Sequence, residues 1–173
     1  MSNYRRALVP GGTFFFTITL ADRSSTLLVD KLDRFRLAYV GARRSVPFET
    51  IAICVLPDHL HAVWALPPGD ADYSTRWARI KSEFSAGLAA IRSHSQVNKR
   101  ERGIWQRRFW EHQIRDDDDP QRHVDYIHFN PVKHGHVQRA VDWPHSSFHQ
   151  HVKRGWLPDD WGVATQAVGR FGE

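Results

Sequence analysis

The sequence predicts an α+β protein: a ferredoxin-like antiparallel sheet with an additional helix toward the C-terminus. Three observations carry this. A strand-like alternation is followed by a helical pattern, two strand-like runs flank a tight Pro57-Asp58 turn, and a helix-strand order then repeats downstream. In residues 13–20, Phe14, Phe16, Ile18 and Leu20 point one way and Thr13, Phe15, Thr17 and Thr19 the other, giving a half-buried strand with a mostly polar second face. Residues 26–44 set Leu28, Leu32, Phe35 and Tyr39 at three-and-four spacing, an amphipathic helix, with Gly41 near its end and Pro47 beyond. Residues 49–56 are β-branched and small apolar types, the pattern of a strand covered on both sides. After the turn, Leu60, Ala62, Trp64 and Leu66 alternate with His59, His61, Val63 and Ala65, a hairpin partner ended by Pro67-Pro68-Gly69.

A second helix is expected over 73–91, with Trp77, Ile80, Phe84, Leu88 and Ile91 on one face and Arg76, Arg79 and Lys81 on a wetted one. Residues 93–103 read as a loop and 105–115 as a fourth strand. Asp116 to Asp119 precede Pro120, a helix-start signal that explains the acidic run as capping rather than as a metal site. The helix so opened carries His123, Val124, Tyr126, Ile127 and Phe129 and meets Pro131. The expected arrangement is one domain over 1–162, helices on one face of the sheet, the other face free, and a tail over 163–173.

Composition narrows the function. The 173 residues carry 24 Lys+Arg against 19 Asp+Glu, a formal charge of +5; only 5 of the 24 are Lys, and Arg is the side chain that forks onto phosphate and stacks on bases. A polyanionic partner is the expectation. No apolar run exceeds six residues, so neither a membrane span nor a secretory leader is expected. One thiol, Cys54, permits no internal disulfide and points to a reducing, cytoplasmic compartment, with Cys54 itself a small core residue.

His59 and His61, two apart on a strand, project from one face and can reach one ion; alone, His-x-His is also the pattern of two solvent-facing imidazoles. Asn130 stands four residues after Tyr126, on the same helical face, where its amide oxygen could complete the set. Two imidazoles and an amide oxygen suit Mg2+ or Mn2+ better than structural zinc. A phenol beside such a cation is a coherent nucleophile for a phosphodiester. Residues before proline avoid helical angles, which places Asn130 at the helix end and leaves His128 and His123 as alternative third ligands.

These residues resemble the single-tyrosine HUH transposases and, more narrowly, the REP-associated tyrosine transposases of bacteria. The resemblance rests on Leu56-Pro57-Asp58-His59-Leu60-His61, on Tyr126-Ile127-His128-Phe129-Asn130-Pro131 running into Val132-Lys133-His134-Gly135, and on Trp110-Glu111-His112, with further fragments in order over about residues 10–162. His145 departs from an expected aromatic. The resemblance implies the HUH endonuclease fold and a metal-dependent enzyme that nicks and transfers single-stranded DNA at hairpins of the REP type. It implies His59, His61 and Asn130 as ligands, Tyr126 as nucleophile and a 5′-phosphotyrosine intermediate. Arg107, Arg108 and Lys133 are candidates for phosphate neutralisation, Trp105 for base stacking, and Arg5 and Arg6 for a basic arm; the plain alternatives are solvated charges and, for Trp105, a core anchor. The short linker before Tyr126 favours a self-contained monomer over a homodimer that lends the tyrosine across. The competing classes are a non-catalytic nucleic-acid-binding module, which would stack bases on the free sheet face, and a hydrolase using activated water.

Overall fold

The structure is a computed structural model that describes residues 7–89, 103–115 and 119–164. Its strands are β1 (Thr13–Thr19), β2 (Glu49–Val55), β3 (His59–Ala65) and β4 (Trp110–Ile114). Its helices are α1 (Leu27–Asp30), α2 (Leu32–Ser45), α3 (Tyr73–Ser85), α4 (Asp119–Lys133) and α5 (Phe148–Lys153), with a 3-10 turn at Ala140–Asp142. The sheet order is β2-β3-β1-β4, every pairing antiparallel, as the ferredoxin-like reading expects.

The alternation in β1 and β3 decides which residues meet. Phe14, Phe16, Ile18, Leu60, Ala62 and Trp64 all enter the first core, under α2 and α3. Trp64 stacks on Trp77 with centroids 4.0 Å apart, and its indole donates to Tyr39 Oη at 2.7 Å, so the one polar atom of this ring is satisfied where it is buried. The predicted first helix is divided, because Lys31 takes non-helical angles between α1 and α2. The second ends at Ser85, where Gly87 at φ +75° turns the chain away; Ile91 and the expected loop up to residue 102 lie outside the described residues. The expected fourth strand contracts to five residues, and Trp105 pairs outside it through an isolated bridge to Leu20.

Two expectations are corrected. Arg76 is not on a wetted face: it is 3% exposed, its guanidinium forked onto Asp70 and donating to the Pro47 carbonyl. Nor is the second face of the sheet free. Phe15, Ala52, Cys54, Leu56 and Val63 give it an apolar floor, and α4 covers that floor with Val124 and Ile127. The sheet is therefore sandwiched, as the two-sided pattern of β2 implies.

The chain after α4 builds a third cluster around Phe129, Val132, Ala140 and Phe148, so α4 is gripped by the sheet on one side and by the C-terminal segment on the other. That segment also closes the β2 edge: Val55 donates to the His145 carbonyl and Ser147 to the Ile53 carbonyl. At its far end Ala164 donates to the Gln138 carbonyl; residues 165–173 lie outside the described residues.

His128 is fully buried at this joint, with Nε2 2.9 Å from Ser147 Oγ, and burial, then His151 and His149, push its pKa down to about 3. The unfolded imidazole takes a proton near 6.5, so the stability His128 contributes is complete above that pH and is lost as the pH falls toward 3. The slope expected from one such group is about 1.4 kcal/mol per pH unit. Denaturant melts at pH 7, 6 and 5 should be flatter with pH for His128→Gln than for the wild type; equal slopes contradict this.

Candidate active site

Cross-strand register builds the floor of the site. Cys54, His61, Thr17 and Trp110 are consecutive partners across β2, β3, β1 and β4, and His59 lies opposite Thr19. The Pro57-Asp58 turn, fixed where Leu20 donates to the Asp58 carbonyl, brings Asp58 Oδ1 to 2.7 Å from His59 Nδ1 while Oδ2 takes Arg23 Nε at 2.6 Å. Burial pulls the Asp58 carboxyl up, but His59 and Arg23 together hold it below the usual carboxylate range. A carboxylate only accepts, so His59 carries its proton on Nδ1 and turns a lone pair on Nε2 inward. His61 is held likewise, its Nδ1 2.9 Å from Thr17 Oγ1. Burial, then the neighbouring His59, His134 and Lys133, push His61 down to about 3, and burial also lowers His59; both imidazoles are neutral at physiological pH.

Helix α4 supplies the roof. It does not stop before Pro131 but runs through it to Lys133, keeping Tyr126 and Asn130 one turn apart on one face. The half-buried Tyr126 ring sits edge-on to His61, centroids 5.3 Å apart, and Lys133 Nζ lies 5.1 Å from the centre of the Tyr126 ring. Asn130 is fully buried and close enough to His59 to raise its pKa, yet neither Oδ1 nor Nδ2 has a hydrogen-bond partner of good geometry. His61 Nε2 is also buried without a partner. An unsatisfied buried polar atom costs roughly 1–3 kcal/mol. Of the three, His61 Nε2 and Asn130 Oδ1 carry lone pairs that fit a divalent cation, while Asn130 Nδ2 can only donate a hydrogen bond.

Not every candidate converges. His128 faces Ser147, away from His59, and His123 belongs to a different cluster with His112 and Asp119. Trp105 packs in the first core, its indole donating to Ser85 Oγ at 3.0 Å, on the opposite face of the sheet from Tyr126. Arg107 and Arg108 are exposed ahead of β4; Arg5 and Arg6 lie outside the described residues.

No protein-family model matches the chain. An Escherichia coli protein named REP-associated tyrosine transposase is 47% identical over 161 residues, covering 93% of this chain and 91% of the relative. The chain belongs to the REP-associated tyrosine transposases. A Haemophilus influenzae protein provisionally given the same name is 52% identical over 167 residues, 94% of each chain. A solved structure of a REP-associated tyrosine transposase bound to a REP hairpin superposes with a TM-score of 0.83 at 44% identity, over 100% of this chain and 98% of that one.

Tyrosine transposases are DNA-cleaving transesterification enzymes. In this member of the family three further residues border the site that motif spacing alone does not single out. Asp58 and Thr17 each occupy the outer nitrogen of one imidazole. His134 follows α4, where Gly135 at φ +73° closes the helix with His136 donating to the Pro131 carbonyl and Gly135 to the Val132 carbonyl. That turn sets the His134 ring 5.2 Å from His59. Asp58, directly before His-x-His in a turn, could have been found from sequence; the place of His134 depends on the helix running past Pro131. Among the described residues no helix is long and apolar enough to cross a membrane.

Proposed function

We propose that this member of the family nicks single-stranded DNA beside a REP-type hairpin and transfers the strand through a covalent bond to Tyr126. The observation that carries it is the placement of the Tyr126 ring against His61 within one chain, over buried donor atoms that have no protein partner. His59, His61 and Asn130 are the residues that would hold a divalent ion, Mg2+ or Mn2+, whose chemistry is Lewis-acid polarisation of a phosphate oxygen. Asp58 and Thr17 fix the two rings so that Nε2 is the atom offered. The Tyr126 oxygen bonds to phosphorus as the P–O3′ bond breaks. The phenol proton passes to solvent and the departing 3′ oxygen gains one, leaving a 5′-phosphotyrosine and a free 3′-OH. Attack by another 3′-OH runs the step backward and rejoins strands with no external energy source. Lys133, beside the ring, offsets phosphate charge.

All of these groups come from one chain, which supports a self-contained monomer. Coverage of the second sheet face by α4 removes the platform a base-stacking module would use. The test is a REP-type hairpin oligonucleotide labelled at either end and resolved on a denaturing gel with Mg2+ or Mn2+. The 3′ label should travel with the protein and the 5′ label leave on the released fragment; adduct on the 5′ label, or none at all, refutes the proposal.

Trp110 is 52% exposed on the same face as His61, its ring edge-on to Phe15 with centroids 5.6 Å apart. Base stacking on an aromatic ring contributes about 1–3 kcal/mol. Trp110→Ala should therefore weaken single-strand binding roughly tenfold, read by fluorescence anisotropy, and an unchanged affinity removes Trp110 from the DNA path.

A further inference from the structure

We propose that His112, Asp119 and His123 form a second metal site, distinct from His59, His61 and Asn130, which takes a transition-metal ion of the Zn2+ class. Among the described residues these are the His and Asp groups whose ligand atoms gather tightly enough, all within 4.8 Å of one another. They come from two elements. His112 lies on β4 beside Phe15, while Asp119 and His123 are one turn apart at the start of α4. The two imidazoles approach different carboxylate oxygens: His112 Nε2 is 3.2 Å from Asp119 Oδ2, and His123 Nδ1 is 3.1 Å from Oδ1. Their rings stack, with centroids 5.1 Å apart and planes 20° from parallel, and both nitrogens reach the same carboxylate. His123 Nδ1 also lies 2.8 Å from the Asp119 carbonyl oxygen, and an ion replaces the proton shared there.

The two sites differ in their oxygen ligand, a charged carboxylate here and the neutral amide of Asn130 at the other. Two imidazoles and one carboxylate, with a position left for water, are the ligand set of open zinc sites, and Co2+ takes the same set. The Asp119 charge offsets the positive end of the α4 dipole, which otherwise disfavours a cation there. The side chains are 43%, 23% and 18% exposed for His112, Asp119 and His123, leaving one side open for entry and for water as the fourth ligand. Bound metal would staple the end of the sheet to the first turn of the helix that carries Tyr126. The Phe15 ring touches both parts, 4.9 Å from His123 and 5.9 Å from Tyr126, centroid to centroid.

The test is Co2+ titration of the metal-stripped full-length chain, read by visible absorption, with bound zinc counted after dialysis. The wild type should show two classes of site and H112Q/H123Q one, while H59A/H61A keeps the tetrahedral Co2+ band. Zn2+ should raise the thermal midpoint of H59A/H61A and leave that of H112Q/H123Q unmoved by this class. Asp119→Asn, which keeps shape and side-chain hydrogen bonding, should weaken the band if the glutamine pair fails to fold. A Co2+ band missing from H59A/H61A, or one that survives H112Q/H123Q or Asp119→Asn at full strength, overturns the proposal.

Discussion

Replacing Tyr126 with phenylalanine should abolish the covalent DNA adduct and reduce cleavage by at least about 10³-fold, since no second nucleophile takes over an in-line displacement. The ring remains: its edge-on contacts to His61 and Phe15 do not involve the hydroxyl, so folding should stay within about 0.5 kcal/mol of the wild type. Hairpin binding should change little for the same reason. This pairing of lost chemistry with retained stability and affinity separates a nucleophile from a merely buried aromatic. Cleavage by the variant at an undiminished rate without any adduct would instead favour an activated-water hydrolase.

His61→Gln should be nearly as damaging to cleavage, by about 10²–10⁴-fold, because it removes the buried Nε2 from the centre of the donor set. Glutamine fills most of the volume and retains polar atoms to meet Thr17, which limits the packing loss. Raising Mn2+ should restore part of the activity, and Tyr126→Phe should gain nothing from the same treatment. Divalent-ion titrations of both variants on one hairpin substrate provide the check. Wild-type activity in His61→Gln at ordinary metal concentration is the outcome that breaks the assignment of this imidazole.

Much of this was legible in the sequence because period and chemistry coincide. Strict alternation in β3 sends Leu60, Ala62 and Trp64 to one core and leaves His59 and His61 together on the other face. The spacing of Tyr126 and Asn130 places them on one side of a helix. What was not legible depends on tertiary contact. Phe15, a single aromatic between threonines, looks incidental in β1, yet it touches His61, His123 and Tyr126 and anchors the cover of the second face. Pro131 reads as a stop, but a helix held on both sides tolerates the lost donor. Arg76 matches the exposed stripe of α3 and is buried only because Asp70 and the Pro47 carbonyl meet it.

The double grip on α4 has a consequence for how strands change places. A tyrosine mounted on a segment wedged between two apolar layers is not free to ferry its cargo from one spot to another. In the proposed mechanism the nucleic acid therefore does the travelling: after the first cut the released end departs, and the incoming end is delivered to the phosphotyrosine where it stands. On that proposal, reshuffling is a matter of DNA folding and refolding around a packed post, with the hairpin as the moving part.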